Sequence, residues 1–147
     1  MTRIISFRGL IASGAQEKIS LSTNKGLIGY KIHKFQLMWY QPGNASSESV
    51  VKVFKVEQDA VTALIDFDDN RLLGAAFSSI DANARERADD FTVVFDNEKF
   101  NQDIYVTHQD LIGSEPVNYY IELEQMKLDL SEQTVATLKD IRNIGAE

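Results

Sequence analysis

The densest cluster of side chains that could do chemistry lies between Ile65 and Phe77, in the stretch IDFDDNRLLGAAF. It contains three aspartates and one asparagine: Asp66, Asp68, Asp69 and Asn70. Three of these side chains match the first, third and fifth ligand positions of an EF-hand calcium loop. Arg71, however, stands where such a loop requires glycine, and Phe77 stands where it requires a bidentate glutamate. The EF-hand pattern therefore fails.

Two interpretations of this cluster remain open. An irregular calcium site would use the carboxylates of Asp66, Asp68 and Asp69, since Ca²⁺ accepts oxygen ligands in flexible geometry. The interpretation that we favour is a turn at Asp68-Asp69-Asn70, because Asp and Asn side chains accept hydrogen bonds from nearby backbone N–H groups. We therefore predict neither a metal site nor a cofactor.

The chain has only two histidines, His33 and His108, and no cysteine. Two imidazoles and a carboxylate could bind zinc or transfer protons. No spacing in the sequence brings the two histidines together, and neither a GxSxG elbow nor an HExxH helix accompanies them. We expect both histidines to be solvated or structural. The absence of cysteine excludes disulfides and thiolate catalysis.

Two further patterns resemble enzyme motifs without completing them. Gly9 and Gly14 have the glycine spacing of a phosphate-binding loop, but the required lysine does not follow. Glu122 and Glu124 share one face of a predicted strand, as paired glycosidase acids could. Such pairs more often form the solvated face of a half-buried strand. We therefore predict no catalytic residue and no enzymatic activity.

Composition limits the class of protein. A chain of 147 residues with 44% hydrophobic and 25% charged residues can bury the core of one domain, residues 1–147. Its net charge of −7 argues against nucleic-acid binding, which needs concentrated Lys and Arg. Arg8 interrupts the apolar N-terminal residues, so we expect no signal peptide, and no segment has the length of a membrane span. Together with the lack of cysteine, these features predict synthesis in a reducing cytoplasm.

Alternation of apolar and polar residues dominates the sequence and predicts β-strands. Between Tyr30 and Tyr40 the apolar phase slips by one residue at His33-Lys34, which predicts a β-bulge. Ser49 to Glu57 is apolar on both faces, as in an interior strand, and we expect packing between copies to supply the extra burial. Turn residues separate seven or eight such runs. We predict an all-β, jelly-roll-like β-sandwich of about eight strands, with an immunoglobulin-like sandwich as the second choice.

Three segments depart from this alternation. Residues 81–90 (DANARERADD) are polar and predict a loop or one short helix, of which we favour the loop. Residues 131–145 predict a short C-terminal helix or arm, because apolar residues recur every three positions after the candidate N-cap Ser131; a last strand is the alternative. Residues 1–15 form either an N-terminal arm or an ordinary first strand.

Five longer segments carry a recurring order of strand motifs. They are YKIHKFQLMWYQPG, KVFKVEQ, IDFDDNRLLGAAFSS, TVVFDNEKFNQDIYVTHQD and NYYIELEQMKLDLSEQTVATLKDIRNI. In this order, from Gly29 to Ile144, the chain resembles a group of small virion proteins encoded by tailed bacteriophages, many of them marine. These motifs are strand patterns rather than chemical fingerprints. The members look like β-sandwich structural proteins of the particle, so the resemblance implies no catalytic residues.

The resemblance implies a non-enzymatic virion protein, assembled in the host cytoplasm. We expect a capsid decoration or cement protein that binds the major capsid protein or other virion proteins as a small homo-oligomer, for which a trimer is one candidate. Contact with the capsid is expected from the apolar and basic N-terminal segment: Arg3, Ile4, Phe7 and Arg8. The alternative is a receptor- or glycan-binding module of a tail or fibre. Its sugar contacts would be Trp39, Tyr40 and Asn44.

Overall fold

The computed structural model describes residues 3–21, 27–41, 47–80 and 92–128. These residues form eight β-strands in two antiparallel sheets and contain no helix, which confirms the all-β prediction. In chain order the strands are β1 (Arg3–Ile11), β2 (Gln16–Ile19), β3 (Ile28–Trp39), β4 (Ser47–Phe54), β5 (Leu72–Ile80), β6 (Thr92–Phe95), β7 (Ile104–Asp110) and β8 (Val117–Lys127).

The order of the strands is that of a jelly roll with one strand displaced. One sheet has the order β1-β8-β3 and the other the order β2-β7-β4-β5-β6. The pairs β1–β8, β2–β7 and β4–β5 are nested, as when one long antiparallel hairpin is rolled into two sheets. A complete roll would also pair β3 with β6, but β6 pairs with β5. The jelly-roll-like sandwich is therefore the observed fold.

The core lies between the two sheets and is built from alternate residues of nearly every strand. Because strand side chains have a period of two, one set from each strand points into this layer. Val53 of β4, together with Ile121 and Leu123 of β8, has no solvent exposure. Tyr30 of β3 and Phe100 stack with their ring centroids 6.2 Å apart. Burial of this apolar area is the main stabilising contribution to the fold.

The β-bulge predicted at His33-Lys34 is confirmed. β3 pairs with β8 in one register up to Ile32 and in a shifted register from Lys34 onward. The extra residue moves the inward phase by one position, so that Tyr30 before the bulge and Phe35 after it both face the core. A twelve-residue strand thereby keeps a continuous apolar face despite the slip in its sequence pattern.

β4 is buried on both faces, as its sequence predicts. Val51 and Val53 belong to the core between the sheets. Val50, Lys52 and Phe54 point to the other side of the five-stranded sheet, and yet each is at most 5% exposed. Since this outer side of β4 is not part of the core, another segment must exclude water from it.

Residues 55–71, which connect β4 to β5, contact this side of the strand at Lys52. Lys52 Nζ donates hydrogen bonds to Thr62 Oγ1 at 3.2 Å and to the Leu64 carbonyl at 2.7 Å. The side-chain amide of Gln16 donates to the Gln58 carbonyl at 3.0 Å and accepts from the Gln58 N–H at 2.8 Å. The burial of β4 thus comes from the chain itself. It does not require a second copy, contrary to our expectation from the sequence.

Some expectations fall outside the described residues. The candidate C-terminal helix at residues 131–145, the polar segment 81–90 and Asn44 all lie there. At the N-terminus, Arg3–Ile11 forms β1 and pairs with β8 over its whole length. Within this chain the segment is therefore an ordinary first strand at the edge of the three-stranded sheet.

Truncation of a core side chain should test this architecture. We expect Leu123→Ala to lower the free energy of unfolding by about 2–5 kcal/mol. Truncating this buried side chain removes the free energy gained by burying its carbon atoms and leaves a cavity in the core. The matched control is Leu64→Ala, at an exposed position, which should change stability by no more than about 0.5 kcal/mol. Chemical denaturation measures both, and equal losses would contradict the assignment of the core.

Candidate functional site

The acidic cluster at Asp66–Asn70 forms a turn within the 55–71 connection. The Asp68 N–H donates to Asp66 Oδ1 at 2.9 Å, which is an Asx turn. Asp69 accepts two side-chain hydrogen bonds from Arg71, from Nε to Oδ1 and from NH2 to Oδ2, both at 2.9 Å. These hydrogen bonds from Arg71 hold the pKa of Asp69 below its usual value, although burial opposes them. The turn thus uses two of the three carboxylates that an irregular calcium site would need.

The described residues contain no group of three or more His, Asp or Glu side chains placed to hold a metal ion. The turn at 66–71 has instead the hydrogen bonding expected for a chain reversal that leads into β5.

The two histidines lie in different environments and do not meet. His33 is exposed at the bulge of β3, whereas His108 on β7 is fully buried. His108 Nδ1 lies 3.1 Å from the Ile11 carbonyl, and Nε2 lies 2.9 Å from Ser49 Oγ. A carbonyl only accepts, so Nδ1 carries the proton and Nε2 accepts from the Ser49 hydroxyl. Burial lowers the pKa of His108, which favours this neutral ring.

A buried polar cluster surrounds His108 where the start of β4 meets the end of β7. Ser47 Oγ donates to Asp110 Oδ2 at 2.8 Å and lies 3.1 Å from Ser49 Oγ. Burial raises the pKa of Asp110, but hydrogen bonds from the backbone of Gly113 and Glu48 and from the Ser47 hydroxyl outweigh it, so the pKa lies below its ordinary value. These bonds attach β4 to the turn that follows β7.

This cluster does not have the geometry of a Ser-His-Asp triad. In such a triad a carboxylate orients the histidine and an accessible serine attacks the substrate. Here a backbone carbonyl orients His108, Asp110 bonds Ser47 rather than the ring, and Ser49 is fully buried. The Ser49 hydroxyl donates its one hydrogen to His108, and the Ser47 hydroxyl donates its one hydrogen to Asp110. The cluster is therefore a structural link between strands.

The glycine pair of the incomplete phosphate loop also has a structural explanation. Gly9 on β1 packs against Tyr119, and a Cβ at this position would lie 2.9 Å from the tyrosine Oη. Gly14 has a φ of 81°, in the left-handed region that glycine adopts without strain. Its N–H donates to the His108 carbonyl at 2.7 Å in the turn between β1 and β2. One glycine thus permits close packing and the other a tight turn.

The aromatic residues proposed for glycan contact do not form a platform. Trp39 lies on the inward phase of β3 after the bulge and is only 7% exposed, so little of its ring is open to a sugar. Tyr40, the next residue, points outward and is 50% exposed. Of the two aromatic residues, Tyr40 is therefore the one open to a ligand, and the glycan contact stays a prediction.

The outer face of the three-stranded sheet is the surface that carries the remaining candidates. We define it by the outward residues of its strands: Ile4, Ser6, Arg8, Leu10, Lys31, Lys34, Gln36, Met38, Asn118, Tyr120, Glu122 and Glu124. Glu124 forms an ion pair with Lys31 at 3.4 Å, and Glu122 accepts a hydrogen bond from the Tyr120 hydroxyl at 3.0 Å. The paired glutamates thus have neighbouring partners on an open sheet surface.

The four expected contact residues do not share this surface. Ile4 and Arg8 belong to the outer face, and Arg3 is exposed at the start of β1. Phe7 points to the opposite side and packs partly against the core, because its odd position gives it the same phase as Ile11. Phe7 therefore lies on the other side of β1 from Ile4 and Arg8, and contact of these four residues with the capsid stays a prediction.

A depression of about 1010 Å³ lies along the same sheet. Its lining includes Val93 of β6 and inward residues such as Phe35 and Tyr119, together with residues of the outer face: Arg8, Leu10, Gln36, Met38, Asn118 and Tyr120. Met38 is 68% exposed, and Ile4 and Leu10 on the same face are 47% and 44% exposed, so several apolar side chains of this face reach solvent. Such a mixture of methionine, tyrosine, arginine and uncharged polar groups is typical of protein contact surfaces.

Comparison of the sequence with protein-family models and with curated proteins gives no match. In the described part of the chain, no helix has the length and hydrophobicity that crossing a membrane requires.

Stability should depend on pH through His108. The folded pKa of His108 lies below the ordinary value of 6.5, so the unfolded chain binds a proton at pH values where the folded chain does not. Stability is therefore expected to fall as pH decreases below 6.5. Urea unfolding between about pH 7.5 and pH 5 measures the slope. His108→Gln should flatten it and the control His33→Gln should not; equal slopes in all three proteins would contradict this assignment.

Calcium should not stabilise the protein. Because the carboxylates of Asp66 and Asp69 already accept hydrogen bonds in the turn, we expect added Ca²⁺ to leave the unfolding temperature unchanged. Differential scanning calorimetry with and without Ca²⁺ tests this expectation. A rise of several degrees that Asp66→Asn/Asp68→Asn abolishes would restore the irregular calcium site.

Proposed function

We propose that this chain is a non-enzymatic structural protein of a tailed-phage particle, and that it decorates the capsid lattice as a small homo-oligomer. The observation that carries the proposal is a contrast between two sets of residues. The side chains that could do chemistry are engaged in turns and buried links, as at Asp69 and His108. The side chains left exposed on the three-stranded sheet are suited to protein contact, as at Met38 and Arg8.

The strand motifs that resemble phage virion proteins support the same proposal. A jelly-roll-like sandwich gives these motifs a common physical role, since each contains all or part of at least one strand with its inward apolar residues. The motif IDFDDNRLLGAAFSS, for example, comprises the turn at 66–71 and most of β5. The resemblance and the fold thus agree in giving these residues an architectural role.

The proposed mechanism is burial of surface area at many equivalent sites. Each copy that binds the assembled capsid and not its dissociated subunits raises the stability of the assembled state by linkage. Exposed apolar residues on the outer face, Ile4, Leu10 and Met38, would supply the buried centre of the contact. Arg8 and Lys34 would lie among them and contribute polar contacts.

Cosedimentation with expanded capsids that lack this protein tests the proposal. We expect saturable binding, with a fixed number of copies per capsid. Met38→Lys should weaken binding about tenfold, because a charge would replace an exposed apolar side chain at the contact. The matched control is Leu64→Lys, also exposed but on the 55–71 connection over the other sheet.

Two results would contradict this account of capsid binding. If the protein shows no saturable binding to capsids at every salt concentration tested, the proposed decoration function is wrong. Equal weakening by Leu64→Lys would show that the outer face is not the contact surface. Analytical ultracentrifugation of the free protein tests the homo-oligomer separately, and a monomer at the concentrations that saturate capsids would contradict that part of the proposal.

A further inference from the structure

The sandwich has four edge strands among its described residues. β1 and β3 bound the three-stranded sheet, and β2 and β6 bound the five-stranded sheet. An edge strand presents unpaired N–H and C=O groups, to which another strand can bind. Soluble proteins prevent such pairing by keeping edges short, bulged, charged or covered. The four edges can be compared by these criteria.

Three of the four edges carry such protection. β2 and β6 have only four residues each. β3 is interrupted by the bulge between Ile32 and Lys34. In addition, Tyr30 near its start exchanges two backbone hydrogen bonds with Phe100, at 2.7 and 2.8 Å. Each of these edges is therefore a poor template for an added strand.

β1 carries two arginines, but it is neither short nor bulged, and no other described strand covers its edge. It runs for nine residues in one unbroken register with β8, from the pair Arg3–Gln125 to the pair Ile11–Val117. It contains neither proline nor a bulge. Among the described strands it has a partner on one side only. β1 is thus a long, regular edge that is ready to accept another strand.

The side chains of β1 also lack the pattern of a solvated edge. Ile4 and Leu10 on the outer face are 47% and 44% exposed. Ile5 and Phe7 on the inward phase are only partly buried against the core. Apolar side chains thus remain partly exposed on both faces of the strand. A strand added beside β1 would cover part of this area on both sides.

Charge distinguishes among partners for this edge. Residues 1–16 contain two arginines, Arg3 and Arg8, and no acidic residue, although the whole chain has a net charge of −7. Within the described part of the chain, no carboxylate lies within ion-pair distance of Arg8. An added strand with acidic residues would therefore gain a cross-strand ion pair.

We infer that the edge of β1 binds an extended, acidic and apolar segment of another protein by adding it to the three-stranded sheet as a further strand. This inference rests on the proposed function in one respect, since it assumes that the added strand belongs to another protein of the phage particle. Backbone hydrogen bonds supply affinity in this mode of binding, and the alternate side chains supply specificity. Acidic residues opposite Arg8 and apolar residues opposite Ile4 and Leu10 would satisfy the exposed side chains.

A second copy of the chain is a less suitable occupant. Antiparallel pairing of two β1 strands centred on Phe7 would place Ile4 opposite Leu10 favourably. It would also place the Arg8 residues of the two copies at diagonal positions, close enough for their long, like-charged side chains to repel each other. Four arginines would then lie in one strand pair without any acidic residue of β1. The positive charge of the edge thus favours an acidic partner.

A labelled peptide tests the inference on the full-length protein. The peptide has the nine-residue length of β1, with glutamate at the two positions that antiparallel pairing places opposite Arg3 and Arg8 and valine or threonine elsewhere; the control peptide has lysine in place of both glutamates. We expect the glutamate peptide to bind the more tightly in fluorescence anisotropy and to slow hydrogen exchange of β1 amides. Arg8→Glu should weaken its binding about tenfold and strengthen that of the lysine peptide.

Lys34→Glu is the matched control. It makes the same change of charge at an exposed position of the same face, on β3 at the far side of the sheet. It should leave the affinity for the glutamate peptide unchanged. Equal weakening by Lys34→Glu would mean that overall charge rather than the β1 edge controls binding, and this result would overturn the inference.

Three further results would overturn it. The first is equal binding, or no binding, of the two peptides. The second is full protection of β1 amides in the peptide-free monomer, which would mean that the chain covers its own edge. The third is an oligomer that Ile4→Lys dissociates and that excludes the peptide, since a second copy would then occupy the edge. If the Arg8→Glu protein still binds capsids, the proposed function stands, but strand addition at the edge of β1 is not how the protein contacts the capsid.

Discussion

The structure depends on keeping water from both faces of β4. A central strand with Val50, Val51, Val53 and Phe54 cannot leave either side open, so the chain must supply a cover outside the sandwich core. Residues 55–71 are that cover. Their attachment requires buried polar anchors, because an apolar cover alone would leave its backbone groups unsatisfied. Lys52 provides one anchor, although burial lowers its pKa, and Lys55 provides another through an ion pair with Glu98 at 2.9 Å.

This constraint explains why the acidic cluster at Asp66–Asn70, which resembles a metal or acid site in the sequence, has a structural role. A segment that runs over the sheet and returns to pair beside β4 needs a tight reversal before β5 begins. Asp66 and Asp69 provide that reversal with side-chain acceptors, and Arg71 closes it. The same logic applies at the other end of the sandwich, where Asp110 collects the backbone N–H groups of the turn after β7. In both places carboxylates replace backbone acceptors that irregular segments lack.

Local features of the fold could be predicted from the sequence, whereas most features that need distant pairing could not. Alternation and turn residues predict the strands, and the slip at His33-Lys34 predicts the bulge, since both depend on neighbouring residues alone. The burial of Trp39 follows from that same slip and could have been predicted from it. Ser49 and His108, in contrast, meet only because β4 pairs with β7; polar residues on the inward phase of both strands were the available signal. The exposed edge of β1 likewise depends on strand order, which alternation does not determine.

We propose that the edge of β1 is the feature through which this chain joins a larger assembly. An electron-microscopy map of phage particles produced with the gene for this chain tests that claim most directly. The account predicts density for the sandwich on the capsid surface, with a strand of a neighbouring protein beside β1 and acidic side chains near Arg8. A map in which the sandwich is present but the β1 edge faces solvent, or in which the particle lacks the sandwich, would contradict it.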